Sequence, residues 1–355
     1  MWVLTVVGIL TLMFALDMTG FFSKNHLVVD GRTVVITGGS QGMGRGLAKL
    51  FSKRGANVVI VARGEENLIK TLNDIKAVAI RPDQKIHYIS ADVTKPEENS
   101  RILAEVQAWN DGRAPDIVWA NAGSSVPGLF ADTSIETLRS QMDINYWAAA
   151  YLAHVTLNMW TRTPSAAATT TTAAKPTSPR HFIMTSSSAA FVGVAGYGTY
   201  SPAKAAMRSL ADNLRSEVNL YNGARQHQPS SPTAPAADIK IHIVCPGTIL
   251  SEGHAREDAT KHEITRILEA GDPRQTEDEV AAAAVSGLDR GHYLITTQFL
   301  GHAMRASSLQ GSPRNGWGVV DTLFSWVTSV AWLFIGPDME GKVFKYGKQH
   351  GLASK

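Results

Sequence analysis

The stretch TVVITGGSQGMGRGLA, residues 33–48, decides the fold. Its first five residues are all β-branched, the side chains that suit an extended, buried strand. The chain then turns through Gly38, Gly39, Ser40, Gln41, Gly42, Met43 and Gly44 and enters a helical pattern at Arg45. The glycines allow a tight turn and a close backbone approach to a pyrophosphate. The helix that follows offers unpaired N–H groups at the positive end of its dipole. A glycine-rich loop alone would read as a turn; between a strand and a helix it reads as a dinucleotide-phosphate loop.

Working outward, short apolar runs recur at Asn57–Ala62, Ile86–Ser90, Asp116–Ala120, His181–Thr185, Lys240–Cys245 and Tyr293–Thr296, with longer amphipathic stretches between them. Nearly continuous apolar strands separated by helices predict an α/β fold, a doubly wound parallel sheet over residues 31–300. Two low-complexity stretches, 161–180 and 222–238, are rich in Ala, Thr, Ser and Pro. They carry no apolar period to offset their ordering entropy and are read as surface insertions without catalytic role.

The 355 residues are 44% hydrophobic with a formal charge of +3, ample for a buried core. The 34 Lys and Arg are spread along the chain, which speaks against a nucleic-acid partner. Cys245 is the single cysteine, so neither a disulfide nor a cysteine-based metal site is expected, and a reducing compartment fits.

Both ends are apolar. Residues 1–22 are uncharged from Trp2 to Leu16, then carry Asp17 before apolar character resumes. A span needs about 20 apolar residues, so this segment reaches across only with Asp17 at an interface. With no basic residue ahead of it and Lys24 and Arg32 after it, an uncleaved anchor with a cytosolic enzyme is expected. Residues 316–336 have Asp321 as their one charge. Asp321, Ser325, Thr328 and Ser329 share one side at helical spacing, and Leu323, Trp326, Val327 and Val330 the other. A span, an interfacial helix and an oligomer contact all remain open.

Chemistry concentrates between Thr185 and Lys204. Tyr200 and Lys204, four apart at the start of a helical pattern, point to one face. A phenol with a pKa of ~10 is a poor acid–base at neutral pH, and a neighbouring ammonium favours its anion. Such a tyrosine can give a proton to a carbonyl oxygen, and a serine from Ser186-Ser187-Ser188 can hold the same oxygen. As an isolated pair, Tyr200 and Lys204 would be surface residues on a helix.

The loop has the form TGxxxGxG. With Asn121-Ala122-Gly123, the serine run, Tyr200/Lys204 and Pro246-Gly247-Thr248 in that order, the chain resembles the short-chain dehydrogenase/reductase family. The resemblance implies Ser187, Tyr200 and Lys204 as the catalytic set, with Ser186 the alternative one residue away. It also implies Asn145 as the residue that keeps a water against the lysine. It implies a nicotinamide cofactor along Gly38, Ser40, Gln41, Gly42, Gly44, Arg63, Asn67, Asp92, Asn121, Tyr200, Lys204 and Thr248. Ala62 stands where an NAD site offers an acid, and Arg63 follows, so NADPH is expected, the rival being a surface pair of Arg63 with Glu65 or Glu66. Asp92 meets the adenine or caps the next helix.

Residues 249–275 correspond to the family's substrate lid. Its His254, His262 and Glu263 lack metal spacing and are read as solvated; no metal is expected. Apolar ends, TGGS and LITTQFLGHAMR are similar to the family's fungal reductases of a long-chain lipid ketone, 3-ketosphinganine, acting with NADPH at the cytosolic face of the endoplasmic reticulum membrane. A membrane-anchored steroid or retinoid dehydrogenase and a catalytically silent binding module are the alternatives. The family's habit of pairing makes a homo-oligomer possible.

Overall fold

The computed structural model describes residues 26–162, 178–227, 235–316 and 318–352. The N-terminal segment 1–22 lies outside them, as do most of 161–180 and the middle of 222–238.

Seven parallel strands form the sheet: β1 (Thr33–Thr37), β2 (Asn57–Ala62), β3 (Ile86–Ser90), β4 (Ile117–Ala120), β5 (Arg180–Thr185), β6 (Ile239–Cys245) and β9 (Leu294–Thr296). Their order is β3-β2-β1-β4-β5-β6-β9, with Val34 in register with Val58 on one side and Ile117 on the other. β1 and β4 are buried at every residue, which is why they read as continuous apolar runs. The order reverses between β1 and β4, and ligands of such sheets collect there, at the carboxyl ends of the strands.

Helices cover both faces. On one lie α1 (Gly42–Lys53), α2 (Glu65–Ala77) and α9 (Glu277–Asp289), burying Leu47, Phe51, Leu68, Ile75 and Val280 against Ile36 and Ile60. On the other, α3 (Pro96–Trp109), α5 (Ala148–Arg162) and α6 (Ser201–His227) bury Ile102, Trp160 and Met207 against Val35, Val118 and Phe182. A short α4 (Ile135–Met142) runs through a π-helical turn, Asp143–Trp147, into α5.

After β6 the chain forms a two-residue ladder, β7 (Thr248–Ile249) with β8 (Arg274–Gln275), reinforced by Leu250 N–H donating to the Gln275 carbonyl at 2.8 Å. The segment closed at its base by this ladder carries α7 (Glu252–Thr260) and α8 (Glu263–Glu269). Beyond β9 come α10 (Phe299–Ser307) and α11 (Val319–His350).

Two boundaries are corrected. Residues 222–227 are not insertion but the end of α6, where the Asn222 amide exchanges hydrogen bonds with the Ile239 backbone at 2.8 and 2.9 Å. Composition hid this because an exposed helix end needs no apolar period. The C-terminal helix does not stop at Gly336; it continues through Pro337 and a charged half to His350.

Candidate active site

The phosphate loop is shaped by backbone that only glycine tolerates. Gly38 has φ +65°, and a Cβ there would lie 2.8 Å from the Ala122 Cα. A Cβ on Gly44 would run into the Gly38 carbonyl oxygen. Gln41 stands at the N-cap of α1 without a capping side-chain bond, and the first turn holds no acid. By contrast, α9 begins with a Thr276/Glu279 capping box and three acids. The start of α1 therefore offers N–H groups to an anionic ligand without a competing cap or acid. Ser40 is fixed by Thr71, whose hydroxyl donates to its carbonyl at 3.1 Å.

At the end of β2, Arg63 is exposed and makes no ion pair within 4.0 Å among the described residues. Its rival partners are engaged elsewhere: Glu65 accepts from the Tyr88 hydroxyl at 2.8 Å, and Glu66 pairs with Lys70 at 2.7 Å. Asn67, in the first turn of α2, is also exposed. Asp92 does not cap α3, whose N-cap is Lys95; its carboxylate accepts from the Thr94 N–H at 3.1 Å and hydroxyl at 2.8 Å. Burial alone would raise Asp92, but Thr94 and the charges of Arg63 and Lys95 hold it below the usual range. Asn121 closes β4, taking the Thr185 hydroxyl at 3.1 Å on its carbonyl oxygen. Thr248 is half-buried at the start of β7.

The fold brings Ser187, Tyr200, Lys204 and Asn145 to the carboxyl ends of β4 and β5. Lys204, 2% exposed, donates to the Thr185 carbonyl at 3.0 Å and lies 5.5 Å from the Tyr200 ring centroid. Burial pulls its ammonium down to about 8. Burial also pushes the Tyr200 phenol above its ordinary value, an effect the neighbouring Ser187 hydroxyl partly offsets. The four-residue spacing alone predicts an ammonium that lowers the phenol. In this geometry desolvation dominates both groups, so Tyr200 holds its proton across the neutral range.

Ser186 and Ser187 divide their roles sharply. The buried Ser186 hydroxyl donates to the Lys204 carbonyl at 2.9 Å and is occupied in packing α6 on β5. Ser187 is the one beside Tyr200, its Oγ accepting from the Ala189 N–H at 3.2 Å. Asn145 sits fully buried in the π-helical turn, accepting from Ser124 N–H at 3.1 Å and donating to the Ser124 carbonyl at 2.7 Å. A Cβ on Gly123 would lie 2.9 Å from Asn145 Oδ1 and 3.1 Å from Lys204 Nζ. Glycine there keeps open the gap between amide and ammonium.

Several residues near the site were not read from the sequence. The Tyr197 ring lies 5.9 Å from Tyr200, and its hydroxyl donates to Glu257 of α7 at 2.5 Å. Lys261 joins Glu257 at 3.2 Å and Glu269 at 2.7 Å and lies 5.7 Å from the Tyr197 ring. Thr265 donates to the Ala195 carbonyl at 2.7 Å. This clasp seats the α7–α8 segment beside Tyr200; only the i,i+4 spacing of Glu257 and Lys261 signalled it. His262 is not merely solvated: it caps α8 and meets Tyr346 of α11, ring centroids 5.8 Å apart. Among the described residues no group of three or more potential metal ligands occurs.

A family model described as short chain dehydrogenase matches residues 32–262. This chain belongs to that family. Short-chain dehydrogenases are nicotinamide-dependent oxidoreductases, and the glycine cradle and bare α1 terminus suit that cofactor. A 3-ketodihydrosphingosine reductase of Aspergillus fumigatus is 48% identical over 94% of this chain and 89% of its own. One of Neurospora crassa is 40% identical over 99% of this chain and 92% of its own. Among solved structures, a short-chain type dehydrogenase/reductase from Mycobacterium marinum shares the fold at a TM-score of 0.60. It has 19% identity and covers 76% of this chain and 95% of that one.

Proposed function

We propose that this short-chain dehydrogenase reduces 3-ketodihydrosphingosine (3-ketosphinganine) to sphinganine with NADPH, at the endoplasmic reticulum membrane with its catalytic domain in the cytosol. The observation that carries the reading is a proton-holding tyrosine set beside an apolar rim. The Thr199 hydroxyl, next to Tyr200, donates to the Val126 carbonyl at 2.7 Å, and Phe130 packs beside Gly198. Val126, Phe130 and Ile135 are 44%, 62% and 59% exposed. A long-chain ketone partitions into apolar surroundings at ~0.8 kcal/mol per methylene, so such a rim suits its tail. The relatives named for this ketone, matched over nearly their whole length, support the same substrate.

Gly38, Ser40, Gln41, Gly42 and Gly44 would hold the pyrophosphate. Arg63 and Asn67 would take the 2′-phosphorylated ribose, Asp92 and Asn121 would line the adenine side, and Thr248 would seat the nicotinamide. When bound, the cofactor supplies the hydride. Ser187 holds the ketone oxygen against Tyr200, which gives its phenolic proton to that oxygen as the carbon is reduced. Lys204 supplies positive charge beneath the tyrosine ring, and Asn145 orients water toward the ammonium through the gap at Gly123. Tyr200 and Lys204 together speak against a silent binding module. Burial pushes the Cys245 thiol up to about 12, which keeps it protonated and outside this chemistry.

The test is turnover by purified protein with NADPH, using 3-ketosphinganine analogues of falling chain length beside a 3-ketosteroid and retinal. Efficiency should fall steeply as the tail shortens. Preference for the steroid or retinal, or indifference to tail length, would replace the substrate and keep the reductase.

A further inference from the structure

Helix α11 is inside out. Over 319–325 every position is buried or half-buried; beyond these two turns the inward positions, among them Thr328, Met339, Val343, Tyr346 and His350, fall on one side at helical spacing and face the protein. The opposite side carries Trp326, Val327, Val330, Leu333, Phe334 and Phe344, between 60% and 75% exposed. Of the polar side named in the sequence, Asp321, Ser325 and Thr328 turn inward while Ser329 is exposed; of the apolar side, Trp326, Val327 and Val330 turn outward while Leu323 is half-buried. The hydroxyls of the polar side are satisfied within the helix: Ser325, Thr328 and Ser329 donate to the carbonyls of Thr322, Phe324 and Ser325 at 2.7, 2.9 and 2.7 Å. A stretch of mean hydropathy 1.5 in this helix is only 11% buried.

Both ends are fastened to the same body. At the start, both terminal nitrogens of Arg305 hold the Asp321 carboxylate, and the Asn315 N–H donates to it at 2.9 Å. At the far end the Tyr346 ring lies edge-on to His262 of the lid at 5.8 Å, and the His350 ring follows at 4.8 Å. The His262 Nδ1 accepts the Ile264 N–H, which leaves its Nε2 to donate to the Leu352 carbonyl at 3.4 Å.

The geometry points to α11 as an in-plane brace between a phospholipid bilayer and the substrate lid. A helix of 32 residues, about 48 Å long, lies along the membrane surface with its apolar side in the interface. A span would carry the end of α11 across some 30 Å of hydrocarbon, away from the lid it touches. Past Pro337, Lys345 and Lys348 continue the outward side and match anionic headgroups. The inference rests on the lipid-ketone reading only for its purpose, which is to let a membrane-borne substrate reach a lid held at the membrane.

Cys245 is fully buried, so introduced cysteines label selectively in the full chain. In sealed microsomes, Gln349→Cys and Ser100→Cys should react with a membrane-impermeant maleimide from the same side. Bimane on Val330→Cys should shift to the blue when phosphatidylcholine/phosphatidylinositol vesicles are added. Tyr346→Ala should keep that shift yet raise hydrogen exchange of residues 252–269 roughly tenfold. Protection of Gln349→Cys while Ser100→Cys is labelled would make α11 a span and overturn the brace. So would a bimane shift that is absent, or that follows protein concentration instead of lipid and assigns the face to a second copy. Unchanged lid exchange would overturn the coupling. None of these readouts uses the ketone, so failure to turn over 3-ketosphinganine would defeat the functional reading separately.

Discussion

Lys204 and Lys261 are buried alike, 2% and 4% exposed, in opposite electrostatic settings. Among the described residues Lys204 makes no ion pair and donates to the neutral Thr185 carbonyl, and burial draws its ammonium down to about 8. For Lys261 burial works in the same direction, but Glu269 and Glu257 outweigh it and hold the ammonium above its ordinary value. A buried cation without a counter-charge is poised to respond to chemistry beside it. One enclosed by carboxylates is a fastener. The sheet end that holds Lys204 therefore leaves its cation responsive, whereas the α7–α8 segment holds Lys261 clamped.

The sharpest way to break this division is to remove the proton it protects. Tyr200→Phe keeps the ring against Lys204 and should cut turnover by about 10²–10⁴-fold, with NADPH binding by fluorescence near wild type. Substantial residual turnover would place the acid elsewhere.

Arg63 extends the comparison to an exposed cation that makes no ion pair within 4.0 Å among the described residues. Arg63→Ala should raise the Michaelis constant for NADPH about 10- to 150-fold, the equivalent of a charge-assisted contact of about 1.5–3 kcal/mol, and leave that for NADH nearly unchanged. Equal effects on both cofactors would remove Arg63 from the 2′-phosphate.

Lys261→Met leaves Glu257 and Glu269 facing each other without their cation, a cost of about 1–3 kcal/mol concentrated in the lid. The Michaelis constant for the ketone should rise roughly 5- to 150-fold while that for NADPH holds. A fall in kcat alone would mean that Lys261 acts on the chemistry.

The smallest expected effect comes from pH. The Lys204 ammonium loses its charge as pH rises through about 8, so turnover should fall roughly tenfold between pH 7 and 9. Lys261, with a folded value above the ordinary 10.5, keeps its charge over that range, and its clasp weakens only at higher pH. Hydrogen exchange of the lid should accordingly stay flat from pH 7 to 9 once corrected for intrinsic rates. A lid that loosened in parallel with the rate would dissolve the distinction between the two lysines.

The strands, the phosphate loop and the Tyr200/Lys204 pair were legible because each is written in neighbouring residues. A β-branched run, a glycine turn and a four-residue helical spacing are local facts, and the seven strands lie within a residue of where periodicity put them. Tertiary structure alone decided which serine faces the tyrosine, since Ser186 and Ser187 differ only in which side of β5 they leave. It alone placed Gly123 between Asn145 and Lys204, closed Glu257 on Tyr197 sixty residues away, and decided which side of α11 meets the protein. Local periodicity reports which residues share a face. It does not report what that face meets, because the neighbour is supplied by distant chain, and burial beside it sets whether a charge is clamped or left to react.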